Sequence, residues 1–257
     1  MKAFLLFLSL FLTGSLIFCQ TTPTPDQFKK DYEAKQMIQF LPSFDLIFPS
    51  QDLNKRFGTI SAIGLGIGYK TNRNVTFNGF YKTLFGNRVK QVNMLDNLRG
   101  SSGELIDANG NYASISYAMR GGNLGFKLGK IIRVEKNANN GIWVQGGFSY
   151  LQHRIKIEYQ NDVLPQLDND MYKGYDRLSG GVGFLGSIGY HHITANNTIS
   201  YFMNFDFGFN QTQSLRTFNF DTRSKDQTKR KDYYNGLSFG IILPVNSQTA
   251  DQESLYK

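Results

Sequence analysis

The side chains that could do chemistry are few and scattered. The histidines are His153, His191 and His192. Hydrolysis needs a nucleophile beside a histidine that an acid orients, and the one pairing on offer is Ser149 with His153. On a strand these two share a face but stand about 13 Å apart, too far for proton transfer, so no catalytic residue is expected. His191 and His192 are adjacent and point to opposite faces of a strand. No H-E-x-x-H or related spacing occurs, so neither a metal site nor a cofactor is expected. Cys19 is the lone cysteine, which excludes an internal disulfide. Three charges on the faces opposite the apolar ones, Asp45, Lys127 and Asp206, are expected to point inside. A buried charge needs a partner, so they are expected to pair with one another or with arginines inside the fold.

The elements that carry these residues have a period of two. In "ISYFMNFDFGFNQ", Ile199, Tyr201, Met203, Phe205, Phe207 and Phe209 share one face, opposite Ser200, Phe202, Asn204, Asp206, Gly208 and Asn210. Such alternation marks a strand with two unlike faces. Seven further segments repeat it: "MIQFLPSFDLIF", "ISAIGLGIGYK", "NVTFNGFYKTLF", "GNLGFKLGKII", "IWVQGGFSYLQH", "LSGGVGFLGSIGYHH" and "YYNGLSFGIILPV". The connections alternate in length. "KTNRN", "EKNANN" and "TANN" are tight, Asn-rich turns, whereas the other four connections are long. Eight antiparallel strands joined by alternating short turns and long loops describe an outer-membrane barrel, with the loops outside. Strands seven and eight are expected to extend past the membrane as a hairpin, because Phe218 and Phe220 continue the alternation.

A soluble lipocalin-type barrel would turn the apolar face inward and bathe the other in water. That second face is mostly Gly, Ser and Asn, which suits a narrow lumen and not a solvated exterior. Tyr69, Tyr81, Tyr150, Tyr190, Tyr201 and Tyr233 fall near segment ends, where amphipathic rings meet a membrane surface. The chain of 257 residues, with 26 Gly, 22 Phe and 14 Tyr, fits one such domain over residues 36–245. Residues 1–19 read as a signal peptide, with Lys2 ahead of an apolar run. Lipidation at Cys19 is the alternative, but Phe18 is not the small residue that such a site needs. A polar leader (20–35) and a tail (246–257) flank the barrel. The formal charge of +8 favours anionic headgroups, including lipopolysaccharide, as partners. Export makes nucleic acid an unsuitable one.

The runs "WVQGGFSYLQHRIKIE", "VLPQL", "YKGYDRLSGGVGF" and "FNFDTRS" resemble a family of small outer-membrane β-barrels from Bacteroidota, over roughly residues 140–245. The resemblance implies the same barrel fold and outer-membrane location. It also implies a setting among envelope proteins, of the kind that serve type IX secretion or gliding motility. The long loops are then the functional surface. Their interaction candidates are Tyr175, Asp176, Arg177, Phe218, Phe220, Asp221, Arg223, Lys229, Arg230 and Lys231. Tyr175, Asp176 and Arg177 could equally form a local salt bridge. The expected role is a non-enzymatic interaction or structural component of the envelope. A lipid-modifying enzyme and a soluble ligand-binding barrel are the alternatives.

Overall fold

The computed structural model describes residues 34–134, 137–159, 164–168, 171–194 and 199–245. The expected signal peptide with Cys19, the leader up to residue 33 and the tail 246–257 lie outside the described residues. Eight strands form a closed antiparallel barrel in sequence order. They are β1 (Met37–Ser50), β2 (Ile60–Lys70), β3 (Val75–Gly86), β4 (Ile115–Arg133), β5 (Gly141–Tyr159), β6 (Ser179–His192), β7 (Ser200–Ser214) and β8 (Arg230–Val245). Closure is made by β1 against β8, with Phe44 opposite both Ile63 of β2 and Phe239 of β8. Closure removes the unpaired edges that an open sheet would expose.

Alternation along each strand divides the side chains between two environments. Outward positions are large and exposed: Ile63, Leu65 and Ile67 on β2, Val182 and Phe184 on β6, and Tyr201, Met203 and Phe205 on β7. Val182 is 69 % exposed and Phe184 63 %, values no soluble fold would choose for a whole belt. Inward positions are mostly buried: Gly, Ser, Asn, Gln and a few charges in the middle of the wall, with apolar side chains such as Leu41, Trp143 and Phe202 nearer one rim and Leu84 and Ile155 nearer the other. Three short turns and the start of β1 gather at one rim; the four long loops gather at the other. In the first turn Asn74 takes the left-handed conformation (φ 61°), which Asn tolerates better than most residues.

Two lengths depart from expectation. β4 starts seven residues before Gly122, and β5 runs six residues past His153, so the tall hairpin is β4–β5. The expected extension of β7–β8 does not form: β7 ends at Ser214, and Phe218 and Phe220 lie in the loop before β8. The reason is packing. Ile115, Tyr117, Ile157 and Tyr159 lean on a buried loop cluster containing Met94, Leu95, Leu105 and Leu164, which supports the longer hairpin. Phe220 instead bends down to meet the Tyr175 ring edge-on, 5.5 Å between centroids.

Candidate functional site

The mid-lumen holds an ionic layer. β3 brings Lys82 inward, β1 brings Asp45, β4 brings Lys127 and β7 brings Asp206. Lys82 Nζ lies 2.6 Å from Asp45 and 3.2 Å from Asp206; Lys127 Nζ lies 2.8 Å from Asp206. The structure thus gathers all three charges singled out from the sequence. The fourth, Lys82, is not among those singled out. It was findable: two carboxylates and one ammonium leave a net charge, and Lys82 shares the inward parity of Asn78. The Phe80 ring sits 5.5 Å from both ammonium groups, a cation–π contact that adds to the layer. Asn78 donates to Gln145, and Gln145 donates to Ser187. Asn123 donates to the Tyr234 hydroxyl. The cavity of about 40 Å³ beside the layer is far below the ~300 Å³ of a small-molecule site.

Below this layer, at the turn rim, the lumen is sealed by apolar side chains. Met37, Leu41, Ile131, Trp143, Phe202 and Ile242 form one buried cluster. The Trp143 indole donates to Thr76 at 2.9 Å, which satisfies its one polar atom. His191 is wholly buried here, 3.1 Å from both the Gln39 amide and the Asn139 carbonyl. His192 faces the other way, its ring 5.0 Å from that of Tyr201. The two histidines therefore share no ligand. Among the described residues no group of three or more His, Cys, Asp or Glu could hold a metal ion.

Above the ionic layer the loops form a roof with its own core. The helix Gln51–Arg56 and the following Phe57 drop Leu53 and Phe57 onto Met94, Leu95 and Ile155. His153 is buried beneath them, 2.8 Å from Asp232, with the Phe57 ring edge-on at 5.3 Å. Thr212 donates to the same carboxylate oxygen. Ser149 turns to Asn210, 3.3 Å away. Ser149 and His153 are thus not joined, and each has another partner under the roof. Arg56 donates to Ser179 and to the Arg177 carbonyl. Burial, with repulsion from Arg230, lowers its pKa to about 10, so it stays charged at neutral pH. Asp52, on the rim, accepts from Lys55 and from the Lys231 backbone N–H. Those bonds hold its carboxyl below the usual range.

The loop residues named from the sequence fall into two groups. Tyr175 (4 % exposed) and Asp176 (1 %) are inside the roof, so they are corrected from exposed anchors to packing residues. Their local salt bridge does not form either: Asp176 accepts from Arg216, and Arg177 pairs with Asp221. These longer links close one loop onto the next. Phe220, Asp221 and Arg230 are half-buried; Arg230 pairs with Asp226. Phe218, Arg223, Lys229 and Lys231 remain exposed. Leu164 and Leu167 of "VLPQL" are buried too. Sequence reasoning missed this roof because loops are read as polar, and apolar residues without a period give no element to assign them to.

No family model matches the chain, and no curated protein matches it. Solved structures do. Neisserial surface protein A is 9 % identical, covering 82 % of this chain and 99 % of its own, at a TM-score of 0.47. OprG of Pseudomonas aeruginosa is 10 % identical, covering 84 % and 99 %, at 0.40. Ail, the attachment invasion locus protein of Yersinia pestis, is 9 % identical, covering 82 % and 99 %, at 0.37.

Proposed function

We propose that the chain is a non-conducting outer-membrane barrel that acts through the surface of its loop roof. One observation carries the reading: the large apolar residues point outward around the wall, while the lumen is filled by ion pairs and side chains. Water would not accept that wall, and a lipid bilayer would. On β7 the nine residues from Tyr201 to Phe209 match the ~9–11 residues a tilted strand needs to cross. A lipocalin-like role has the opposite polarity. The hydrolase reading would draw on Ser149 and His153, which point to separate partners. With no open lumen, the exposed loop tips around Phe218, Arg223, Lys229 and Lys231 are the surface left to work with. An accessory role in a secretion or motility complex is the finer form of this reading.

Two measurements test it. The native chain should fractionate with outer membranes and migrate differently on a detergent gel before and after boiling. A soluble, non-shifting chain would refute the membrane reading. A photoreactive side chain at position 218 should give one protein-sized crosslink in intact cells. Crosslinks to lipid alone would refute the docking role.

A further inference from the structure

On the outer wall, the β4–β5 hairpin carries a ladder of cross-strand pairs that changes chemistry within a few residues. Leu124 lies opposite Tyr150, Gly122 opposite Gln152 and Arg120 opposite Arg154. Leu124 and Tyr150 are exposed and end the apolar belt. Two residues further along each strand stands the Gly–Gln pair, and two further again the two guanidiniums. A cleft of about 480 Å³ opens at this level, lined by these residues and by Tyr81 of β3. Its floor is low because Gly122 has no side chain. The Tyr81 hydroxyl lies over that glycine, 3.0 Å from where a Cβ would stand.

Like charges directly opposite on neighbouring strands repel. Arg120 is partly compensated: it donates to the Glu158 carboxylate at 3.2 Å and to the Met119 carbonyl at 2.9 Å. Lys156 takes the same Glu158 oxygen at 3.1 Å. Arg154 is half-buried and opposite Arg120, and no such bond to it is seen among the described residues. A half-buried guanidinium facing another cation is best satisfied by a shared anion, and guanidinium binds phosphate oxygens in bidentate fashion. The tyrosines place this pair at headgroup height, and the apolar wall below offers a surface for acyl chains.

We propose that Arg154 and Arg120, with Gln152, Tyr81 and Tyr150, bind the phosphate of a lipid in the surrounding outer leaflet, a phosphorylated glycolipid such as lipid A. This rests on the membrane reading above and adds a defined ligand site to it. The folded full-length chain in detergent micelles should be offered bis-phosphorylated lipid A or its dephosphorylated form, with bound lipid counted by native mass spectrometry. The phosphorylated form should bind about tenfold more tightly, the scale of one charge-assisted contact. R154Q should weaken that preference, R120Q/R154Q should abolish it, and R154K should retain more of it than R154Q. K229Q/K231Q, on the loop tips, should keep it in full. Equal binding of both lipids by the unaltered chain, or a preference that survives in R120Q/R154Q, would overturn the proposal. So would displacement of the lipid by millimolar inorganic phosphate, which would mark a simple anion site. Gel migration of the same samples separates the two readings. A chain that shifts on boiling but shows no preference loses only the lipid site; one that never shifts loses the membrane reading first.

Discussion

Asp206 holds the interior together, because it is the carboxylate that meets both lysines. Removing one partner of a buried ion pair strands the other charge, which costs about 3–5 kcal/mol. Asp206→Ala should therefore lower the temperature at which the barrel loses its heat-modifiable migration, and no drop would mean the layer is not structural. Asp206→Leu with Lys127→Met should recover most of the loss, since Lys82 and Asp45 stay paired at 2.6 Å and an apolar pair of similar size is often neutral. At the rim, Asp52 supplies a pH test. Its pKa is depressed below 3.8, chiefly by the Lys55 hydrogen bond and then by the Lys231 N–H. Its contribution is thus full above that unfolded value and lost as pH falls through the lower folded one. The side chain is exposed enough for water to screen it, so Asp52→Asn should cost under about 1 kcal/mol at pH 7. As pH falls below 3.8 the gap between variant and parent should narrow; a gap that widened with acid would contradict the assignment. Three of the four charges of the ionic layer were legible in the sequence because parity alone places a charge on the polar face inside. Trp143 and Phe202 had the same parity, yet their role as a seal was not legible, since an aromatic among glycines reads equally as filler or as outlier.

Elements were legible wherever one environment covers a whole strand. β2 (Ile60–Lys70) and β6 (Ser179–His192) coincide with their alternating segments to within a residue. β4 and β5 do not, because beyond the belt their outward residues become Arg120, Arg154 and Lys156 while their inward ones meet the roof. The contrast that defined the period fades there although the pairing continues from Ile115–Tyr159 to Arg133–Gly141. Curvature is an element-scale property too. Gly147 of β5 faces inward opposite Lys127, and a Cβ there would stand 1.9 Å from the Phe126 carbonyl oxygen and 2.8 Å from Lys127 Cα. Gly79 of β3 faces out, with nothing within 4 Å of its Cβ position. Gly147→Ala forces backbone to move, so it should destabilise the barrel by at least the ~1–3 kcal/mol of overpacking or block its folding. Gly79→Ala should be within about 0.5 kcal/mol of the parent, as surface changes usually are. Folding yield into detergent and heat-modifiable migration would read both; equal behaviour would refute close strand approach at Gly147.

At the scale of the whole molecule, three layers block the lumen in series. The cluster around Trp143 closes the turn rim, the Lys–Asp layer closes the middle, and the roof over His153 closes the loop rim. An eight-stranded barrel leaves an interior that side chains can fill, and here the fillings differ in kind. Removing one should not open a path. The barrel reconstituted in a planar bilayer should show no steady conductance steps, and neither should a variant lacking part of a single layer, such as Trp143→Ala or Asp206→Ala. Regular ohmic steps from the parent would refute the sealed lumen and return solute passage to consideration. Steps from the Trp143→Ala variant alone would show that the ionic layer and the roof are open to ions, leaving the apolar seal as the sole barrier. Silence in all three, with insertion verified by heat-modifiable migration of the recovered protein, directs attention to two surfaces among the described residues. These are the loop tips around Phe218 and the arginine cleft at the top of the β4–β5 wall.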